Sequence, residues 1–161
     1  MTEITVVPQS SLDADIVSGV AQFLAPVVVD LTALAVDGKQ AHWHVRGSNF
    51  QAIHELLDEV VEHAHRYADT AAERVVALGL PIDVRIQTVG AQATTPALAA
   101  GFQPSDAVIA QIIASIDATL VSVRTAIDEL GELDAASQDV AIEIARGLEK
   151  DRWFLFAHLA A

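Results

Sequence analysis

Cysteine is absent from this 161-residue chain, which excludes disulfides and thiolate-bound metal sites and is compatible with a reducing cytoplasm. Basic residues are scarce: 9 Lys and Arg stand against 22 Asp and Glu, for a net charge of −13. Such a field gathers cations and repels phosphate backbones. Neither end carries a basic cluster, and the last basic residue, Arg152, sits inside a helical stretch. The opening MTEITVVPQSSLDADI has no basic residue ahead of an apolar core and no cleavage pattern, so no signal peptide is expected. Long apolar runs are missing too. The best candidate, Ile16 to Val29, covers 14 uncharged residues interrupted by Gly19 and Pro26, too short to span a bilayer, so no membrane partner is expected. Repeats, strand alternation and low-complexity tracts are also lacking.

What is present reads as helix. The length and 52% hydrophobic content suit one domain over 1–161, with residues 1–10 as a flexible tail. A first helix is expected from Ser11 or Asp13 as cap to about Val45, kinked or divided by Pro26. A second follows Ser48 as cap and stops at about Leu78, before Gly79 and Pro81. Residues 80–105 hold Pro81, Gly90, Pro96, Gly101 and Pro104 and read as a long connection with a short helix at Pro96 to Ala100. A third helix runs from Ser105 to about Leu130, before Gly131, and a fourth from about Ala135 to Leu159. Four helices with one long crossover between the second and third describe an all-α, up-down-down-up four-helix bundle.

Nearly every interpretable metal ligand falls between Lys39 and Gly79. On the second helix, His54, Asp58, Glu62, His65, Asp69 and Glu73 share one stripe at about 100° per residue. Asp58 and Asp69 are 11 residues apart, roughly 16 Å along the axis, whereas metal–ligand bonds are about 2.0–2.6 Å. The two ends of the stripe therefore cannot hold the same ions within one chain. An antiparallel copy across a two-fold axis near residues 63 and 64 brings His54 and Asp58 of one subunit beside Asp69 and Glu73 of the other, making two identical sites. His42 lies six residues before Ser48 and His54 six after it, so a helical hairpin sets their imidazoles side by side. Two histidines and three carboxylates suit iron or manganese with open positions better than a closed zinc site.

The pattern HWxVxGxxFxxxHxxxD at His42 to Asp58, followed by Asp69, Glu73-Arg74 and Leu78-Gly79, resembles the Dps proteins, the mini-ferritins of bacteria. The resemblance implies a ferritin-like bundle with a short extra helix in its crossover, assembled as a dodecamer in the cytoplasm. It implies an inter-subunit ferroxidase centre built from residues matching His42, His54 and Asp58 of one subunit and Asp69 and Glu73 of its mate. Its substrates would be Fe(II) and, preferentially, hydrogen peroxide, with Fe(III) stored inside the shell as protection against oxidative stress. Trp43 then becomes a redox-active aromatic beside the iron, against the simpler reading of packing. An acidic entry pore at the start of the fourth helix falls to Asp139 first, with Glu143 and Asp134, which otherwise read as charges favoured by the helix dipole. Members that bind DNA are thought to use basic tails, and this chain has none, so DNA binding is expected to be weak or absent.

Other features carry less. Glu62 and His65 form a Glu-x-x-His, but an in-bundle di-iron site needs a second copy and none occurs, so Glu62, His63 and His65 are assigned to the neighbourhood of the two-fold axis. His44 points to another face than His42. Trp153, Phe154 and Phe156 read as core or interface. The rival functions are metal-dependent hydrolysis at the same carboxylate site and non-enzymatic DNA compaction.

Overall fold

The protein is seen in a computed structural model that describes residues 8–159; most of the expected tail lies outside this range. Within it, Gln9 lies across the end of the second helix, its amide donating to the Val76 carbonyl at 3.3 Å. The elements in order are α1 (Ala14–His44), β1 (Val45–Arg46), α2 (Phe50–Ala77), α3 (Ile86–Gln92), β2 (Gln103–Pro104), α4 (Ser105–Leu130) and α5 (Ala135–Ala157). Helix α1 packs between α2 and α4, and α5 closes the bundle against α4 and α2. The apolar stripes meet in one core, where Leu24, Leu31, Leu34, Ile53, Leu57, Ile109, Ile112, Ile116, Ile144 and Leu148 are fully buried. Each such side chain contributes about 1.5–3 kcal/mol when withdrawn from water. By length and composition alone α1 and α4 are apolar enough to cross a membrane. Here they pack against each other, and their apolar faces supply much of the bundle interior.

Pro26 neither ends nor divides α1, which is continuous over 31 residues. The proline is exposed, so the carbonyl of Gln22 that loses its helical donor can be hydrated. Helix α2 starts one residue later than expected. Asn49, not Ser48, occupies the cap position, and Gly47, at φ +125°, makes the turn that only glycine adopts easily. The far end stops as expected: Gly79, at φ +102°, donates to Val76 O at 3.0 Å and Leu80 to Val75 O at 3.4 Å, the paired bonds of a Schellman cap.

The crossover does contain a short helix, but at Ile86–Gln92 rather than at residues 96–100. No residue of α3 is buried, so it offers no periodic stripe to read, while Pro96 to Ala100 forms no helix and Ala99 N–H donates instead to Gln111 Oε1 at 2.7 Å. The crossover is pinned to the bundle by Asp30. This buried carboxylate accepts from Thr94 N at 2.7 Å, Thr94 Oγ1 at 2.8 Å and Ser122 Oγ at 2.6 Å. Sequence reasoning also missed a parallel two-stranded pairing, Val45 with Gln103 and Arg46 with Pro104, too short to carry an alternating pattern. It ties the end of the crossover to the corner between α1 and α2.

A second buried carboxylate, Asp151 of α5, receives His63 Nδ1 of α2 at 2.9 and 3.0 Å. His63 is thus engaged inside its own chain, whereas the sequence assigned it to the neighbourhood of a two-fold axis. Burial pushes the Asp151 carboxyl above its usual range, against the pull of His63. A raised carboxyl favours the fold below its ordinary value of 3.8, and that advantage is lost as pH rises through the raised value. Relative to Asp151→Asn, which cannot titrate, the wild type should therefore lose urea resistance as pH rises through that window. A difference between the two proteins that stays flat with pH would contradict it.

Candidate metal centre

The corner between α1 and α2 holds the two histidines in a reciprocal clasp. His42, in the last turn of α1 and 6% exposed, donates its Nδ1–H to the carbonyl of His54 at 2.7 Å. His54, in the second turn of α2, donates its Nδ1–H to the carbonyl of His42 at 2.8 Å. The rings stack with centroids 3.6 Å apart and planes 21° from parallel. A carbonyl acceptor requires the hydrogen on Nδ1, so each Nε2 keeps its lone pair available to a metal ion. Phe50 extends the stack, its ring 5.0 Å from that of His54.

Asp58 lies one turn beyond His54. Its Oδ1 is 2.5 Å from Lys39 Nζ and 3.3 Å from His42 Nδ1. The hydrogen bond from Lys39 holds the Asp58 carboxyl below the usual carboxylate range. Lys39 was not among the residues expected at the site. Its signal was available, since it sits three residues before His42, one helical turn back on the same face of α1.

Asp69 and Glu73 are exposed further along α2 and make no hydrogen bond or ion pair among the described residues. Nor do any three His, Asp or Glu side chains among the described residues converge closely enough to hold a metal ion within the chain. The structure stacks His42 on His54 and sets Asp58 against His42, and it leaves Asp69 and Glu73 further along the same helix.

Of the acidic residues considered for a pore, Asp134 has an internal duty. It caps α5, accepting from Ser137 N at 2.9 Å and Ser137 Oγ at 2.5 Å, and pairs with Arg74 Nη2 at 2.7 Å. Burial would raise its carboxyl, but the bonds from Ser137 and Arg74 outweigh that and bring it below the usual range. Asp139 and Glu143 are exposed on α5. Trp43 is 60% exposed next to the clasp, and His44 turns away to the Gln40 carbonyl and the Phe102 ring. Trp153 and Phe156 are more than half exposed and Phe154 is 36% exposed, so the core reading of these three fails. They project from the last turns of α5 at its carboxyl end.

A family model described as a ferritin-like domain matches residues 23–161. The chain is 33% identical over 159 residues to a DNA protection during starvation protein of Agrobacterium fabrum, with 94% of both chains covered. To a protein of that name from Mycolicibacterium smegmatis it is 32% identical over 142 residues, covering 88% of this chain and 78% of the relative. Among solved structures it is similar to Dps from Microbacterium arborescens in the high iron form, with a TM-score of 0.90 and 60% identity, covering 92% of this chain and 97% of that one. Bundle, crossover and histidine corner thus stand alongside likeness over most of the chain's length, and the chain belongs to the Dps family of ferritin-like proteins.

Proposed function

We propose that this protein is a cytoplasmic ferroxidase and iron store, assembled from two-fold dimers into a dodecamer. The observation that carries the reading is the histidine clasp, which leaves both Nε2 atoms free of the carbonyl bonds and has Asp58 3.3 Å from His42 Nδ1, while no three ligands converge among the described residues. Asp69 and Glu73 of a mate supply the missing carboxylates. In this reading Fe(II) is the substrate. His42, His54 and Asp58 hold it from one side, Asp69 and Glu73 from the other, and open positions on the metal admit the oxidant. Two ferrous ions give up one electron each, and hydrogen peroxide takes both with two protons to leave two waters. The reaction removes ferrous iron and peroxide together, before they can generate radicals, and Fe(III) collects in the shell. Trp43, exposed beside His42, serves as a sink for stray oxidising equivalents, and Asp139 with Glu143 lines the route of entry.

The net charge of −13 favours concentrating Fe(II) and opposes contact with nucleic acid. Protection in this protein accordingly runs through iron chemistry rather than through coating DNA.

The test is anaerobic loading with Fe(II) followed by a pulse of one peroxide per two irons. Fe(III) absorbance should rise promptly and elute with the protein in gel filtration. Oxidation no faster than in buffer, or iron eluting apart from protein, would overturn the function. In a gel-shift assay at low salt the same protein should leave duplex DNA unretarded, and strong retardation would restore the compaction reading.

A further inference from the structure

Lys39 and Lys150 are the only lysines in this chain, and Lys39 is spent on the candidate metal centre. Its Nζ lies 2.5 Å from Asp58 Oδ1, the same oxygen that stands 3.3 Å from His42 Nδ1. Among the described residues no other Lys or Arg pairs with Asp58, Asp69 or Glu73. Stability does not account for the contact. Both side chains stay more than a third exposed, at 38% and 48%, and an ion pair so open to water adds little to a fold. The helices it joins, α1 and α2, are already held by a shared apolar core and by the histidine clasp.

The charges of the centre supply a reason. Asp58, Asp69 and Glu73 bring three carboxylates to one place in the function proposed above, and neutral imidazoles offset none of that charge. Like charges so close oppose each other until a cation arrives. An ammonium on Asp58 relieves part of that repulsion while the centre is empty. A ferrous ion needs the same carboxylate, and an ammonium left beside it would repel the ion and its successor. Lysine suits a cation that must leave: its head is compact and strongly hydrated on a flexible stem, whereas arginine would grip the carboxylate with two parallel bonds.

We propose that Lys39 is the resident cation of the empty centre, and that Fe(II) loads by exchange, taking Asp58 as the Lys39 ammonium swings out to water. This rests on the ferroxidase reading given above. Lys39 is then a positioning residue that sets how much free Fe(II) is needed to fill the centre.

Co(II), which peroxide-free buffer leaves divalent, probes binding apart from turnover. In anaerobic calorimetry of the full-length protein, Lys39→Met should bind Co(II) roughly five-fold more tightly than wild type or better, and Lys39→Arg no more tightly than wild type. In peroxide-driven oxidation Lys39→Met should lower KM for Fe(II) and leave kcat unchanged, as expected of a residue that weighs only on binding. Crystals of wild type loaded with Co(II) should show Lys39 Nζ beyond hydrogen-bond reach of Asp58. Unchanged or weaker Co(II) binding in Lys39→Met, equal tightening in Lys39→Arg, or an ammonium still on Asp58 beside bound Co(II) would each overturn the exchange while the centre stands. His54→Ala that binds Co(II) as wild type does would remove the metal centre itself, and this inference with it.

Discussion

Asp58→Ala and Asp69→Ala proteins, each inert alone in Fe(II) oxidation, are expected to regain about a quarter of the wild-type rate when unfolded, mixed in equal parts and refolded together. The reason is the partition of ligands between the two ends of α2. Neither end converges with the other among the described residues, so in the proposed function a site takes Asp58 from one subunit and Asp69 from its mate. In a mixed dimer one site collects both lesions, while the other receives an intact Asp58 from the Asp69→Ala chain and an intact Asp69 from the Asp58→Ala chain. Random pairing makes half the dimers mixed, and half of their sites are whole. Each variant alone should lose at least the ~100-fold that even removal of an outer-shell partner can cost a metal site. Initial Fe(III) absorbance after a peroxide pulse reads all three preparations. If either single variant keeps its rate, that carboxylate is not a ligand. If the mixture stays inert while gel filtration shows dimers, the ligands are not shared between subunits.

Gly147→Ala should destabilise the bundle by about 3 kcal/mol, lowering the thermal midpoint by roughly 10 °C. A helical glycine replaced by alanine in open space would instead gain about 1 kcal/mol, so the sign is decided by the neighbour. Here a Cβ would fall onto the Tyr67 hydroxyl and Cζ and within 2.8 Å of its Cε2. Tyr67 is itself buried on α2 and cannot swing into water, so either its ring leaves its seat or α5 lifts from α2. Combining Gly147→Ala with Tyr67→Leu, which removes the clashing atoms, should cost less than the sum of the two single changes. A stabilised Gly147→Ala, or strict additivity in the double variant, would show that the contact carries no strain on substitution.

The four long helices were legible because each buries an apolar stripe at helical spacing, and their ends because Gly79 and Ser105 stand at them. The stacking of His42 on His54 was legible for a simpler reason: two residues equidistant from a tight turn must meet if both arms are helical. What escaped has the opposite character. Helix α3 buries nothing, so no periodicity betrays it. The bond between Asp30 and Thr94 spans 64 residues, and that between His63 and Asp151 spans 88, distances at which one chain offers no pairing signal. Asp134 read as one more acid near a helix start, and only the structure shows it occupied by Ser137 and Arg74. The proposed partition of ligands between subunits rests on the length of a rigid helix, which residue numbers alone fix.

The reciprocal bonds of the histidine clasp change when disorder is given up. Two imidazoles free to rotate would each have to be frozen by the arriving ion, which would weaken its binding. Here each ring is already fixed by the carbonyl beside the other, so ordering is completed as the chain folds, and in the proposed function the ion would meet ligands that do not need to move. The two bonds also run in opposite directions across the corner, from α1 to α2 and back. Disturbing either ring therefore loosens the grip on its neighbour, and the pair responds to substitution as one unit rather than as two independent ligands.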